Sequence, residues 1–318
     1  RVLAEADVRL GDEPGDGRWL LYADGPHLAK LAADAGTTAV AREAVRVAID
    51  ALARAPKSIS QADAERLLAA RVYANPGHFF FELLQNADDA GATRWAASIE
   101  AEYVSVQHDG APFSLLDLVG LLSIGQTTKS VAQIGFFGVG FKSVYEICER
   151  PRVHSGALDF EIAHVSIPRA LADRPALAQS DTLLLLPYAG PAQIDVLHAR
   201  ALAIPPETLL TLRHVREVEV RDARGGVTRW RLERDGPCEL LRGAGRVRRY
   251  RTASREVRFA GEREDGRAQA SIVRVAVAVD ERGRPAPLAG ATVYAFLPTS
   301  ERSGLRVLVH AGFDVTLD

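Results

Sequence analysis

Apolar residues recur at helical spacing in the first third of the chain and at strand spacing in the last third. Alanine and valine return every three or four positions from residue 28 to residue 55, which predicts a helix that Pro56 ends. Residues 61–72 predict a second helix. Beyond residue 213 the pattern changes to short runs of alternating apolar and polar residues, typical of half-exposed strands. The chain is therefore predicted to begin with helices and to end in a β-rich part.

Residues 79–91 predict a further helix, with its leucines towards a core and a polar stripe on the other side. Glu82 and Asn86 lie four positions apart and share one helix face, and Asp89 and Ala90 continue it one turn later. A carboxylate and a carboxamide on one face suit a hydrated magnesium ion and an activated water. By itself the stripe equally fits the wet side of any amphipathic helix.

Two short strands, 97–99 and 103–106, predict a hairpin that runs into His108, Asp109 and Gly110. A strand ending in Asp-Gly offers a carboxylate followed by a position where a ligand can approach the backbone, because glycine has no Cβ. Asp-Gly is also the commonest turn dipeptide of hairpins. The sequence leaves both interpretations open.

A short helix is predicted over 114–122, and the polar segment 123–130 has the composition of a mobile lid over a ligand. The segment 134–145 places three glycines in a G-x-x-G-x-G arrangement before an apolar helical run. Glycine-rich backbone at a helix N-terminus leaves amide groups free to hold phosphate. Lys129 and Lys142 would add positive charge. The Walker sequence G-x-x-x-x-G-K-[ST] is absent from the chain.

Short strands follow at 152–156 and 160–162, and a buried strand at 181–187 opens with Thr182. Residues 191–212 predict two short helices broken by Pro205-Pro206, the best domain boundary in the sequence.

Composition excludes several classes of protein. With 47% hydrophobic and 25% charged residues and a formal net charge of −2, the chain is an ordinary globular protein with no overall attraction to membranes or nucleic acid. No apolar run is long enough to span a bilayer, and two lone cysteines, Cys148 and Cys238, predict reduced thiols in a cytoplasmic protein. Because methionine is absent, we expect Arg1 to be internal to a longer gene product.

Residues 213–258 hold 14 arginines and seven acidic residues, a local excess of +7. This segment predicts either a nucleic-acid face or half-exposed strands with alternating charge, and we favour the strands.

The motifs, in their order and spacing, resemble the GHKL ATPase superfamily, which includes DNA gyrase, histidine kinases and the ninety-kilodalton heat-shock chaperone. The runs Leu-Gln-Asn-Ala-Asp-Asp-Ala, Asp-Gly-x-Pro-Phe and Phe-Gly-Val-Gly-Phe-Lys-Ser-Val are closest to its sacsin-type branch, and residues 297–299 and 310–316 resemble bacterial members. The resemblance implies an α+β fold: a two-layer α/β sandwich, the Bergerat ATP-binding fold, with a mixed sheet covered by helices on one face. It predicts an N-terminal mostly helical extension over 1–57, an ATP-binding domain over 58–205, and a β-rich second domain over 206–318 that is cut short.

The resemblance also implies roles for single residues. Glu82 would activate the attacking water, and Asn86 would bind Mg²⁺. Asp109 would accept the adenine amino group; alternatively His108 and a water would read the base, since many members have Asp-x-Gly here, and we prefer Asp109. The ATP-binding positions carried over are Asn86, Asp89, Ala90, His108, Asp109, Gly110, Phe113, Thr127, Thr128, Lys129, Gly135, Phe137, Gly138, Val139, Gly140, Phe141, Lys142 and Thr182. Arg302 and Arg306 are candidates for a γ-phosphate contact from the second domain.

The predicted function is Mg²⁺-dependent binding and slow hydrolysis of ATP, in a chaperone-like or conformational-switch module of a larger protein. Lid closure would act on a partner protein or on a second copy in a homodimer. The alternatives are a nucleotide-binding regulatory module without hydrolysis and an ATP-gated protein of defence or DNA processing that binds nucleic acid.

Overall fold

The computed structural model describes residues 9–10, 21–22, 46, 49–50, 53, 78–113, 115–122, 140–165, 167–175, 181–190, 194–262, 268–288, 291–295 and 297–311. The chain divides into two compact units. The first comprises Arg1–Ala201 and Val220–Gly226, and the second comprises Leu202–Glu219 and Val227–Asp318.

The described elements of the first unit are β1 (Arg9–Leu10), β2 (Leu21–Tyr22), α1 (His78–Asp89), β3 (Arg94–Ile99), β4 (Tyr103–His108), α2 (Leu115–Leu122), the 3₁₀-helix η1 (Gly140–Glu146), β5 (Arg152–Ser155), β6 (Leu158–Ala163), β7 (Ile167–Ala170), β8 (Thr182–Pro187) and α3 (Ile194–Leu202). Six antiparallel strands form its sheet in the order β3-β4-β8-β5-β6-β7, and β1 and β2 form a separate pair.

Helix α1 packs on one face of this sheet through its apolar stripe. Phe79, Phe80 and Leu84 are fully buried, and the Phe80 ring meets the edge of Trp95 on β3 with the ring centroids 6.5 Å apart. Gly91 follows the helix with φ of +74°, a conformation that glycine adopts without steric cost, and its N–H donates to the Asp88 carbonyl. The helix predicted to end at Gly91 is confirmed.

The second unit consists mostly of strands. Its elements are the 3₁₀-helix η2 (Pro206–Leu210), β9 (Glu217–Arg221), β10 (Val227–Asp235), β11 (Cys238–Gly243), β12 (Arg246–Glu262), β13 (Ala268–Val279), β14 (Thr292–Ala295), β15 (Leu297–Arg302) and β16 (Leu308–His310). The strands lie in the order β15-β14-β16-β13-β12-β11-β10-β9. Strands β10 to β13 pair antiparallel with their sequence neighbours, whereas β14 and β16 are parallel.

The predicted two-layer α/β sandwich, with helices covering one face of the sheet, is wrong. The described part of the chain is rich in strands, with six in the sheet of the first unit and eight, of mixed direction, in the second, and few helices accompany them. Two-residue turns at Gly236 and Gly245 connect β10, β11 and β12 edge to edge, so these segments extend a sheet rather than alternate with helices. The alternating pattern beyond residue 213 predicts separate short strands at 246–251 and 257–260, but these form the single strand β12, and no strand was predicted where β11 lies.

Several local predictions are confirmed. The hairpin of β3 and β4, the short helix α2 and strands β5, β6 and β8 lie where the pattern placed them. Cys148 and Cys238 are buried free thiols, and burial raises the pKa of Cys148 to about 12. Among the described helices, none has the length and apolarity needed to cross a membrane. The helices predicted over 28–55 and 61–72 fall almost wholly outside the described residues.

Candidate functional site

The polar stripe of α1 is half-buried. Glu82, Asn86, Asp89 and Ala90 retain partial exposure, whereas the leucines beside them are buried. A partly exposed amide oxygen and carboxylate on consecutive turns can act on a ligand without leaving the helix.

The C-terminal end of α1 lies against the segment that follows β4. The Ala111 N–H donates to the Ala90 carbonyl at 2.8 Å. A Cβ placed on Gly110 would lie 2.9 Å from the Ala90 oxygen and 3.0 Å from the Ala92 nitrogen, closer than real Cβ atoms approach. Gly110 therefore permits backbone contact with α1, which brings the polar stripe next to the end of β4.

Asp109 is held by the beginning of β3. Its Oδ1 accepts from the N–H groups of Thr93 and Arg94 at 2.7 and 2.8 Å, and its Oδ2 accepts from Thr93 Oγ1 at 2.6 Å and Arg94 Nε at 3.2 Å. Partial burial would raise the pKa of Asp109, but these hydrogen bonds outweigh it and lower the pKa to about 2. The carboxylate is ionised and saturated with donors.

His108 points to the buried face of the sheet. Its side chain is 3% exposed, and its Nδ1 accepts a hydrogen bond from the Gly110 N–H at 3.3 Å. Burial lowers the pKa of His108 to about 4, although the nearby charges of Asp109 and Asp181 act in the opposite direction. The imidazole is thus neutral at pH 7. In the register of β4 and β8 it stands opposite Thr182.

A second polar contact lies beside this histidine. Thr182 and Ser155 are fully buried, with their hydroxyl oxygens 2.6 Å apart, and Ser155 Oγ accepts from the Phe113 N–H at 2.9 Å. Sequence reasoning named Thr182 and Phe113 but missed Ser155. The one available signal was its place at the end of β5, which pairs with β8.

Lys142 is buried, with 2% exposure. Its ammonium donates to the carbonyls of Leu121 at 2.6 Å and Val165 at 2.7 Å. It lies in η1, which packs against α1 and which replaces the predicted apolar helical run. In this arrangement Lys142 connects three backbone segments.

The structure brings together α1, the end of β4 and the head of β8. Gly140 opens η1, and Phe141 is buried within it. Outside the described residues lie Thr127, Thr128, Lys129, Gly135, Phe137, Gly138 and Val139, whose roles stay predictions.

Arg302 and Arg306 line a surface cavity of about 520 Å³ in the second unit, with Pro287, Leu288 and Leu305. Over the described ranges, no three His, Cys, Asp or Glu side chains converge as a metal site would require.

Several arginines of the segment 213–258 form ion pairs with carboxylates, although fourteen arginines face seven acidic residues there. Glu217 and Glu219 on β9 pair with Arg231 and Arg229 on β10. Further pairs between strands are Arg242–Glu233 and Arg249–Asp235, and Arg248 pairs with Glu207 of η2. The half-exposed strand pattern accounts for these charges.

Comparison with known proteins shows weak and partial similarity to two large proteins. The chain is 31% identical over 104 residues to Protein NO VEIN of Arabidopsis thaliana, covering 30% of this chain and 4% of that protein. It is 32% identical over 108 residues to sacsin of Homo sapiens, covering 27% of this chain and 2% of that protein. The chain thus spans a small fraction of either relative. No family description matches it.

Among solved structures, the chain is similar to the crystal structure of the N-terminal domain of a DNA repair protein. The TM-score is 0.48 with 13% sequence identity, over 78% of this chain and 86% of that one. A likeness of this extent says nothing about function.

Proposed function

We propose that the first unit carries a GHKL-type site that binds a nucleoside triphosphate with Mg²⁺ and hydrolyses it slowly. One observation carries the proposal: the stripe of Glu82 and Asn86 lies beside the end of β4, where buried His108 faces Thr182. These positions belong to separate sequence motifs, and the fold gathers them at one end of a sheet. The partial similarity to sacsin supports the same assignment.

In this proposal α1 supplies the groups that act on the phosphates. Asn86 would hold Mg²⁺ through its amide oxygen, and Glu82 would orient the attacking water and take its proton. Bound Mg²⁺ would offset the phosphate charge. An amide oxygen and a carboxylate on a half-exposed stripe are hard oxygen donors, which fit this ion.

At the opposite end of the ligand, we propose that His108, rather than Asp109, binds the base of the nucleotide. The Asp109 carboxylate already accepts four hydrogen bonds from Thr93 and Arg94. It would have to break some of these bonds in order to bind a base. His108 is adjacent to the Ser155–Thr182 pair. Since Lys142 donates to two carbonyls, we assign the charge that offsets the phosphates to Lys129.

The test is calorimetric titration of the 318-residue chain with ATP and Mg²⁺, together with measurement of phosphate release. Glu82→Ala should bind ATP within about threefold of the parent and lose turnover by roughly 10²-fold or more, because it removes the general base. Asn86→Ala should lose the dependence of binding on Mg²⁺. Glu102→Ala, which removes an exposed carboxylate in the turn between β3 and β4, is the matched control and should change neither property.

Unchanged turnover in Glu82→Ala would refute the catalytic role. Tight ATP binding without phosphate release would favour a regulatory module that binds nucleotide and does not hydrolyse it. Within a larger protein, we propose that nucleotide occupancy is the signal passed to a partner protein or a second copy.

A further inference from the structure

His108 has one ring nitrogen in use and one available. The Gly110 N–H donates to Nδ1, so the proton of the neutral imidazole is on Nε2. Among the described residues no acceptor is bonded to Nε2. The side chain is 3% exposed, yet Nε2 is not one of the fully enclosed side-chain atoms without a partner, so this N–H donor can meet solvent or a ligand.

The hydroxyl pair beside it also has a donor to spare. Ser155 and Thr182 carry two O–H groups, and their mutual contact uses one of them. The Phe113 N–H occupies an acceptor site on Ser155 and uses no hydroxyl proton. Whichever hydroxyl donates to the other, one O–H remains for a ligand.

The neighbouring carboxylates are engaged with other groups. Asp109 accepts four hydrogen bonds from Thr93 and Arg94. Asp181 accepts from Gln107 Nε2 at 2.6 Å, and Gln107 alternates with His108 along β4, so this contact is on the other face of the sheet. The polar groups on the His108 face are therefore rich in donors.

We infer that this site reads a purine base by donating hydrogen bonds, from His108 Nε2 and from the Ser155–Thr182 pair, to acceptor atoms of the base. The inference rests on the proposed nucleotide site and names its base selectivity. A carboxylate would read adenine through its 6-amino group, which is a donor. A hydrogen-bond donor of the protein instead binds a ring nitrogen of the base or the 6-carbonyl of guanine. The 6-amino group is then not required, and adenine and guanine triphosphates are both ligands.

The experiment compares ATP with the triphosphate of purine riboside, which lacks only the 6-amino group, and with GTP. Dissociation constants for the full 318-residue chain with Mg²⁺ should agree within about threefold for all three. A site built to bond a donor on the base loses far more when that donor is removed, because its own acceptor is left unpaired.

His108→Asp reverses the polarity of the reading group. This variant should bind ATP at least about tenfold more tightly than the purine riboside triphosphate, in line with the value of a good base contact. His108→Gln, which keeps a donor without introducing a buried charge, should retain the parent ratio. The parent protein alone also tests the inference, whatever the folding of the variants.

A loss of tenfold or more on removing the amino group in the parent protein would overturn the inference. So would an equally large preference for ATP over GTP. In both cases ATP still binds, and the proposed function stands. Binding of none of the three triphosphates would overturn the proposed function and, with it, the base selectivity.

Discussion

The end of the sheet in the first unit and the arginine-rich strands of the second unit treat polar side chains in opposite ways. Strands β9 to β12 carry many charges, and several of these pair across strands, as Arg231 does with Glu217 at 2.5 Å. The end of β4 carries few polar groups. One of them, His108, is buried with an unused donor. The number of charges in a region is therefore a poor guide to a binding site, because charges that pair with each other are not available to a ligand.

The largest expected effect concerns one buried histidine in each unit. Burial lowers the pKa of both His108 and His310 to about 4, from an ordinary value of 6.5, and for His310 the charges of Arg274 and Arg213 add to it. The unfolded chain therefore takes up protons first as the pH falls. Stability should be complete above about pH 6.5 and be lost towards pH 4, by at most on the order of 3 kcal/mol per histidine.

Urea unfolding at pH 7, 5.5 and 4.5 measures this loss. His108→Gln and His310→Gln should each flatten part of the pH dependence, while the Asp109 carboxylate, with its pKa of about 2, stays ionised throughout. A His108→Gln protein with the full pH dependence of the parent would contradict the burial of a neutral imidazole in the first unit.

The close contact of Gly110 with α1 gives the next largest effect. Gly110→Ala should lower the free energy of unfolding by about 2 kcal/mol. The new Cβ would clash with backbone atoms, and these cannot move aside by changing a side-chain rotamer. Gly190→Ala is the control: it lies in the same unit and has no atom within 4 Å of the added Cβ. Equal stabilities of the two variants in chemical denaturation would show that β4 does not approach α1 as described.

Asp109→Asn tests whether the Asp109 carboxylate stabilises the fold or binds the nucleotide base. The amide retains acceptance from the two backbone N–H groups and loses the hydrogen bond from Arg94 Nε, so unfolding should become about 1 kcal/mol easier. Nucleotide affinity, measured by calorimetry, should change less than about threefold. A tenfold loss of ATP affinity with stability unchanged would show that Asp109, and not His108, binds the base.

The smallest effect is expected in the arginine-rich strands. Arg231→Ala and Glu217→Ala should each change stability by less than about 1 kcal/mol, and a double-mutant cycle should give a coupling of roughly 0.2–1 kcal/mol. Because the formal net charge of the chain is −2 and several of these arginines are already paired, we also expect no DNA binding at low salt. Binding that weakens steeply with salt would overturn that expectation.

The local parts of the first unit were predictable because they depend on short-range periodicity. Helix α1 follows from its 3.6-residue apolar repeat and Gly91, and the β3–β4 hairpin follows from alternation. The same repeat placed Glu82 and Asn86 on one stripe.

The rest depends on contacts between residues far apart in sequence. Asp109 bonds to residues 15 and 16 positions earlier, and Ser155 meets Thr182 at a separation of 27. No periodicity encodes such pairs. The same reason explains the wrong fold class, since alternation identifies a strand but does not say whether it joins an existing sheet or starts another.

Chemical labelling of the buried amine of Lys142 reports local opening of the first unit. The chain has four lysines, and this one is enclosed with its ammonium bonded to two carbonyls, so amine-reactive reagents reach it only when the first unit opens. Cys148, six residues later, is a buried thiol whose raised pKa makes it equally inert. The rates at which these two side chains are labelled therefore count openings of the unit, with and without nucleotide, and need no engineered reporter.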